Sequence, residues 1–277
     1  MTAKTILITG CSSGIGHDAA HGLKRRGWRV LATCRKPEDC ARLEAEGLES
    51  FPLDAGSEES VAAGATEALE RTDGRLDALF NNAAHALPGL CADLPRQGLR
   101  EIYETNLFGA VDLTNRILPA MKARGSGRIV MNSSILGFIA LRARGAYVST
   151  KFAMEGITDT YRLENTHPGI HFILIEPGPI TSMIRQNSRA HFERWIDWQG
   201  SAERPFYERE LLKRLYRDAG KPDRFELPAE AVTHQLIRAL EAPRPKARYH
   251  VTTPTRIMAV ARRLLPTRIL DEILRRN

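Results

Sequence analysis

The run Gly145-Ala-Tyr147-Val-Ser-Thr-Lys151 holds the side chains in this chain best suited to proton chemistry. Tyr147 and Lys151 are four residues apart, and helical spacing puts phenol and ammonium on one face, one above the other. A free tyrosine titrates near ~10 and is a poor acid or base at neutrality. An ammonium held close by stabilises the phenolate, so the spacing predicts a tyrosine drawn down toward useful acid/base chemistry. Tyr-x-x-x-Lys arises by chance on many amphipathic helices. Here it follows Ser134, which lies thirteen residues earlier and closes the apolar run Arg128-Ile-Val-Met-Asn-Ser-Ser134.

These side chains need a scaffold, and the chain opens with one. Thr5–Thr9 is a β-rich run of the kind buried on both faces of a parallel sheet. Gly10-Cys-Ser12-Ser13-Gly14-Ile15-Gly16 follows, then a helix to about Arg26. Glycines between a strand and a helix allow a tight turn and close backbone approach to a pyrophosphate, which the helix N-terminus then attracts. Strands are expected at Trp28–Thr33, Ser50–Leu53, Leu76–Phe80, Arg128–Asn132, Ile170–Ile175 and Arg248–Thr252. Helices are expected at Glu38–Glu46, Ser57–Arg71, Gly98–Lys122, Tyr147–Thr166 and Pro228–Leu240. This alternation predicts one α/β domain, a doubly wound parallel sheet of seven strands.

The end of the second expected strand discriminates between nicotinamide cofactors. A carboxylate there would accept hydrogen bonds from a ribose 2′-hydroxyl. This chain has Cys34 followed by Arg35-Lys36, and a guanidinium fork grips a 2′-phosphate instead. NADP(H) is therefore the expected cofactor.

Composition narrows the field. The net charge of +7 suits a binder of a phosphate-rich dinucleotide, and a nucleic-acid partner is not expected without a basic stripe interleaved with aromatics. Cys11, Cys34, Cys40 and Cys91 fit neither a disulfide framework nor a metal motif and are read as reduced cytoplasmic thiols. The histidines are read as scattered, and no metal site is expected. No apolar stretch reaches the ~20 residues of a spanning helix, and the early first strand leaves no room for a signal peptide.

Together the glycine turn, Ser134, Tyr147 and Lys151 resemble the classical short-chain dehydrogenase/reductase family, from about Lys4 to His250. The resemblance implies a Rossmann fold and four catalytic residues. Ser134 orients the substrate oxygen, Tyr147 transfers its proton, and Lys151 tunes Tyr147 and holds the nicotinamide ribose. Asn106, in Glu104-Thr-Asn106-Leu-Phe-Gly109, kinks a helix and holds a relay water. It also implies cofactor contacts at Gly10, Ser12, Ser13, Gly14, Ile15 and Gly16, with Arg35 and Ser13 on the 2′-phosphate and Asp54 on the adenine. Asn81 and Ala83 match the Asn-Asn-Ala-Gly motif, whose glycine is here Ala84. Pro177, Gly178, Ile180 and Ser182 match the turn that meets the nicotinamide amide, with Thr181 a rival hydroxyl.

Within the family, Gly10–Gly16, Leu31–Pro37, Ile175–Ile180, Lys246–Tyr249 and Leu264–Arg268 are most similar to the 17β-hydroxysteroid and retinol dehydrogenase branch and to bacterial YbbO-type NADP-dependent aldehyde reductases. That implies a small hydrophobic alcohol or carbonyl substrate and a homo-oligomer, dimer or tetramer. Residues 180–226, with Phe192, Trp195, Trp198, Phe206 and Tyr207, are expected to form a helical substrate lid. Leu136, Phe138, Leu141, Met183 and Trp195 are the expected pocket lining. The basic tail, 253–277, carries apolar residues between arginines and is expected to pack over the pocket or a neighbouring subunit, with weak peripheral membrane contact as the alternative. A non-catalytic NADPH-binding regulator and a steroid or retinoid dehydrogenase preferring NAD are the competing readings.

Overall fold

The computed structural model describes residues 3–217 and 223–275. Seven strands form one parallel sheet in the order β3-β2-β1-β4-β5-β6-β7. They are β1 Thr5–Ile8, β2 Arg29–Cys34, β3 Glu49–Pro52, β4 Ala78–Asn81, β5 Gly127–Asn132, β6 Ile170–Glu176 and β7 Arg248–His250. The strand order reverses between β1 and β4, and in open parallel sheets that crevice is where ligands bind.

Helices cover both faces. α1 (Gly14–Arg25), α2 (Pro37–Ala45) and α10 (Glu230–Glu241) lie on one side, over a core of Ile6, Ile8, Leu23, Phe80, Val232 and Leu236. α3 (Glu58–Arg71), α5 (Gly109–Arg124) and α6 (Gly145–Glu164) cover the other, over Leu7, Leu31, Leu79, Leu113, Ile129 and Leu174. Strands enclosed on both sides read as continuous apolar runs, which is why they were visible in the sequence.

A third core lies at the edge of the molecule. α4 (Arg96–Tyr103) meets α7 (Ile184–Trp195), α8 (Arg204–Phe206) and α9 (Leu212–Leu215) around Ile102, Phe192, Phe206, Tyr207, Leu211 and Leu215. The expected lid is thus helical where described, residues 218–222 lying outside the described residues. Its Phe192, Phe206 and Tyr207 are buried in that core rather than turned toward a substrate. Tyr207 is anchored by donating to Asp93 at 2.6 Å and accepting from the Leu90 N–H at 3.0 Å.

Two boundaries differ from expectation. The single helix expected over Gly98–Lys122 is α4 and α5 joined by a π turn at Glu104–Phe108. The last strand stops at His250, because Thr252 caps α11 (Thr253–Leu264) by accepting from the Thr255 N–H. α12 (Thr267–Arg275) completes the described chain, and Arg276 and Asn277 of the expected tail lie outside the described residues.

Gly109 opens α5 where the helix presses on the segment after β3. A Cβ there would stand 1.9 Å from the Ala55 carbonyl oxygen. Backbone cannot yield as a flexible side chain can, so Gly109→Ala is expected to destabilise by at least ~2 kcal/mol. Thermal denaturation of the variant against the parent protein checks this.

Candidate active site

α6 begins two residues before Tyr147, so both Tyr147 and Lys151 sit in its first two turns, at the carboxyl end of the sheet. Ser134 caps a short 3₁₀ turn, Ile135–Gly137, its Oγ accepting from the Leu136 N–H at 3.1 Å. The Tyr147 hydroxyl is buried beside Ser134. Lys151 is buried and donates from Nζ to the Asn132 carbonyl at 2.7 Å, with Nζ 5.5 Å from the centre of the Tyr147 ring. Ser134, Tyr147 and Lys151 are therefore brought together as expected.

The expected depression of Tyr147 by Lys151 is not what this arrangement produces. Burial pushes Tyr147 up to about 12, opposed by the Ser134 hydroxyl. Burial also pulls Lys151 down to about 8, opposed by the Glu155 carboxylate. The ammonium faces the Asn132 carbonyl and the ring rather than the phenolic oxygen, so desolvation outweighs attraction.

Asn106 lies in the π turn and is fully buried. The local break expected at this position is present. The Asn106 side chain accepts from the His85 N–H at 2.9 Å and donates to the His85 carbonyl at 2.9 Å and to Thr150 Oγ1 at 3.2 Å. It therefore pins the loop after β4 to α6, one residue from Lys151. Insertion of a π turn re-aims a helix in this way, and such turns recur at functional sites.

The glycine turn is compressed as a phosphate cradle must be. Gly10 and Gly14 have φ of +72° and +59°, and a Cβ on Gly16 would stand 2.2 Å from the Gly10 carbonyl oxygen. Ala83 touches Gly10, where an added Cβ would lie 2.8 Å from the Ala83 Cα. Thr9 Oγ1 accepts from the N–H groups of Asn82 and Ala83, each at 3.0 Å. Asn82 Nδ2 donates to the Thr9 and Gly10 carbonyls at 2.9 and 3.2 Å, and Asn132 Nδ2 donates to Asn82 Oδ1 at 2.8 Å. Thr9, Asn82 and Asn132 thus tie the turn to the ends of β4 and β5, a role the sequence reading missed.

That reading placed Asn81 at the cofactor, and here its side chain needs correcting. Asn81 Nδ2 donates to Thr114 Oγ1 at 2.9 Å, inside the core. Side chains alternate along a strand, so Asn81 turns inward where Asn82 turns toward the turn. Ala84 carries no backbone strain, since Asp73, Ala143 and Phe225 are the described non-glycine residues with positive φ.

The remaining cofactor candidates lie in the segments that follow β1, β2, β3 and β6. Ser13 occupies the N-cap position of α1 without making a side-chain cap, and the Ser12 carbonyl accepts from Arg42 at 2.7 Å. Ile15 packs on the first core beside Ile180. Arg35 is exposed just beyond β2. Asp54 Oδ1 accepts from the Gly56 N–H at 2.9 Å, which fixes its carboxylate beyond β3. The Pro177 carbonyl accepts from the Ile135 N–H at 2.7 Å, joining the segment after β6 to the Ser134 turn. Gly178 is wedged against Thr252, where a Cβ would meet Thr252 Oγ1 at 2.1 Å. Ile180 pairs with Leu227 in an isolated bridge. Thr181 Oγ1 donates to Glu226 at 2.7 Å, whereas Ser182 Cβ lies 3.3 Å from where a Gly14 Cβ would be. Of the two rival hydroxyls, Ser182 faces the glycine turn.

Of the expected pocket lining, Leu136, Phe138 and Leu141 lie half-buried after Ser134. Met183 is exposed, and Trp195 donates from Nε1 to Glu101 Oε2 at 3.0 Å.

Behind Lys151 lies a charged cluster that the sequence did not announce. Arg248 donates from Nη1 to Glu176 at 2.6 Å and to Glu155, and from Nη2 to both oxygens of Asp159 at 2.8 and 2.6 Å. Glu176 also contacts His250 and is fully buried. Burial, with Glu176 beside it, pushes Glu155 up to about 7.

The histidines also cluster, contrary to expectation. His17 and His21 both meet Glu46, at 2.9 and 2.7 Å, between α1 and α2. His85 stacks on His191 with ring centres 3.9 Å apart, and His191 Nδ1 lies 2.8 Å from Glu101. Either trio could hold a metal ion by the convergence of its ligand atoms. The second joins α7 to α4 and to the Asn106-pinned loop. The spacing of His17 and His21 was visible in the sequence, but their carboxylate partner arrives only through folding. The described cysteines are all free, and burial pushes Cys34 up to about 12.

Residues 4–193 match the short chain dehydrogenase family. The uncharacterized oxidoreductase YbbO of Escherichia coli strain K12 is 41% identical over 98% of this chain and 94% of its own. The NADPH-dependent 3-dehydrocapnine reductase of Ornithobacterium rhinotracheale is 31% identical over 96% of this chain and 94% of its own. A short-chain dehydrogenase structure from Streptomyces avermitilis superposes with a TM-score of 0.77 at 26% identity, covering 94% of this chain and 92% of that one. The chain is a short-chain dehydrogenase/reductase, an oxidoreductase built on the Rossmann fold. Among the described residues, no helix is long and apolar enough to cross a membrane.

Proposed function

We propose that the protein is an NADPH-dependent reductase of hydrophobic aldehydes or ketones, working through Ser134, Tyr147, Lys151 and Asn106. The observation that carries this reading is buried Lys151, bonded to the Asn132 carbonyl and 5.5 Å from the centre of the Tyr147 ring, with Ser134 next to that tyrosine at the carboxyl end of the sheet. The glycine turn at Gly10, Gly14 and Gly16 would take a dinucleotide pyrophosphate, with Ser12, Ser13 and Ile15 beside it and Asp54 hydrogen-bonding the adenine. Pro177, Gly178, Ile180 and Ser182 form the opposite wall. When bound, the reduced nicotinamide supplies a hydride.

The chain's own residues do the rest. Ser134 and Tyr147 both donate to the carbonyl oxygen, which places and polarises it. Tyr147, at about 12, keeps its proton at neutrality and gives it to the developing alkoxide. Lys151 then steadies the phenolate through its charge. Asn106 holds the wall formed by the His85 loop, beside which a relay water would stand.

NADPH over NADH rests on Arg35 and Ser13, and on the absence of a carboxylate at Cys34. The Ornithobacterium relative, named NADPH-dependent, supports it. Arg35→Asp is expected to lower the NADPH-to-NADH preference by ~10–100-fold, the worth of a charge-assisted phosphate contact. Steady-state kinetics with both cofactors check this, and an unchanged ratio would move the phosphate site elsewhere.

Lys151 gives the reaction a pH signature. Its ammonium is present below about 8 and lost above it, so reductive kcat/KM should fall as pH rises through that value. Lys151→Gln should remove that limb along with most of the rate. A homo-oligomer is supported by Phe108, Phe152 and Leu163, which stand exposed on the π turn and α6. Light scattering on the purified protein tests it.

The deciding assay is NADPH oxidation across aldehydes and ketones of graded chain length, with NADH in parallel. Turnover that rises with chain length supports the reading. Tight NADPH binding with no turnover on any carbonyl would favour a regulator.

A further inference from the structure

The tail carries two faces that a helix needs only if it touches two different things. On α11, Thr255 and Ala259 are buried against the body of the protein. Ile257, Val260 and Leu264 are 61%, 55% and 75% exposed. Their i, i+3, i+7 spacing makes one stripe, and at ~100° per residue it lies diametrically opposite the buried pair. Arg256 and Arg263 run along one flank of that stripe, and Arg262 stands on the side of Thr255. α12 is held down by buried Leu270 and leaves Ile269 half exposed beside Arg268. Five arginines stand in residues 253–275 against Asp271 and Glu272. Arg256, Arg262, Arg263 and Arg268 form no ion pair with another described residue.

We propose that this face of α11 and α12 docks the protein on an anionic lipid surface. An outward apolar stripe flanked by uncompensated guanidinium groups suits the headgroup boundary, where apolar side chains enter the acyl region and arginines meet phosphates. A second copy is the weaker occupant. Pairing about a two-fold axis would set one arginine flank against another, with only two acids to answer five cations.

The docking face is fixed rigidly to the substrate side of the site. Thr252 and Thr255, at the root of α11, press on Gly178, and Pro177 is bonded to the Ser134 turn. α11 also packs on the 3₁₀ turn Ile135–Gly137. A docked molecule would therefore hold the Ser134 end of its crevice near the lipid boundary, where long-chain carbonyl compounds concentrate. That benefit rests on the function proposed above. The docking itself does not.

The test is co-sedimentation of the full-length protein with phosphatidylcholine vesicles, with and without 30% phosphatidylglycerol, at about 0.1 M salt, a range in which surface charge is only partly screened. Binding is expected only to the anionic vesicles, and should weaken as salt rises. Ile257→Ser/Val260→Ser/Leu264→Ser should abolish it, and Arg256→Gln/Arg263→Gln should weaken it by roughly fivefold per arginine. The second variant alters only exposed charge, so it remains informative should the first fail to fold. Turnover of a water-soluble aldehyde should be unchanged in both. Tyr147→Phe should bind vesicles normally, so loss of catalysis and loss of docking are separable. Failure to sediment with anionic vesicles would overturn the proposal, as would unchanged binding by the triple variant. Conversion of an oligomer to monomers by the triple variant would assign the face to a second copy instead.

Discussion

Tyr147→Phe is expected to lower turnover by ~10²–10⁴-fold, the range general-acid catalysis spans, while leaving NADPH affinity within about threefold. The substitution removes one oxygen from a side chain whose ring stays where it was. Ser134 would still donate to the substrate, and Lys151 would keep its bond to the Asn132 carbonyl, so binding survives. What is lost is the phenolic proton that Tyr147 gives to the developing alkoxide. Ser134 cannot replace it, because a serine hydroxyl is far too weak an acid to be left as an alkoxide. Single-turnover kinetics with saturating NADPH would isolate the step, and fluorescence titration would give the cofactor affinity. Activity within tenfold of the parent would sink the proposed role for Tyr147.

Most of the fold was legible because parallel strands buried on both faces write themselves as apolar runs. Thr5–Ile8 and Ile170–Glu176 lie within a residue of where the sequence put them. The candidate site positions were legible for another reason: Tyr147 and Lys151 are local to one helix, and Ser134 follows closely on β5. What escaped depended on register or on long-range pairing. Asn81 and Asn82 are adjacent in sequence, and only the strand's orientation decides that Asn81 enters the core while Asn82 braces the glycine turn. The aromatic residues of 180–226 marked a helical lid in the sequence, and Phe192, Phe206 and Tyr207 give that segment a core of its own. The pKa of Tyr147 was misjudged from spacing alone. Four residues of helix bring a lysine near a tyrosine, but do not tell which atom the ammonium faces or how dry the pair is.

The charged cluster under Lys151 was the least legible feature and should give the largest effect on stability. Arg248 sits 93 residues from Glu155, 89 from Asp159 and 72 from Glu176, yet its guanidinium joins all three. Removing it leaves Glu155 and Glu176 buried together without their common partner. Breaking a buried ion pair from one side costs ~3–5 kcal/mol, so Arg248→Met should lower Tm by ~10 °C in a chain of this length. The loss should depend on pH with a definite sign. Glu155 is already raised to about 7 with the guanidinium present, and rises further without it. A carboxyl whose pKa is raised on folding adds stability below its unfolded value and loses it as pH climbs through the folded one. The deficit of Arg248→Met should therefore be small near pH 5 and largest above about 8. Pairing it with Glu176→Gln should recover part of the loss, since one of the two stranded carboxylates is then neutral. Calorimetry at both pH values on the parent and the two variants decides it, and a Tm of Arg248→Met within ~2 °C of the parent at every pH would show the cluster to be stable without its arginine. The cluster also reaches the chemistry. Glu155 lies one helical turn beyond Lys151 and favours its ammonium, so fixing the charge on Glu155 sets the pH at which Lys151 loses its proton.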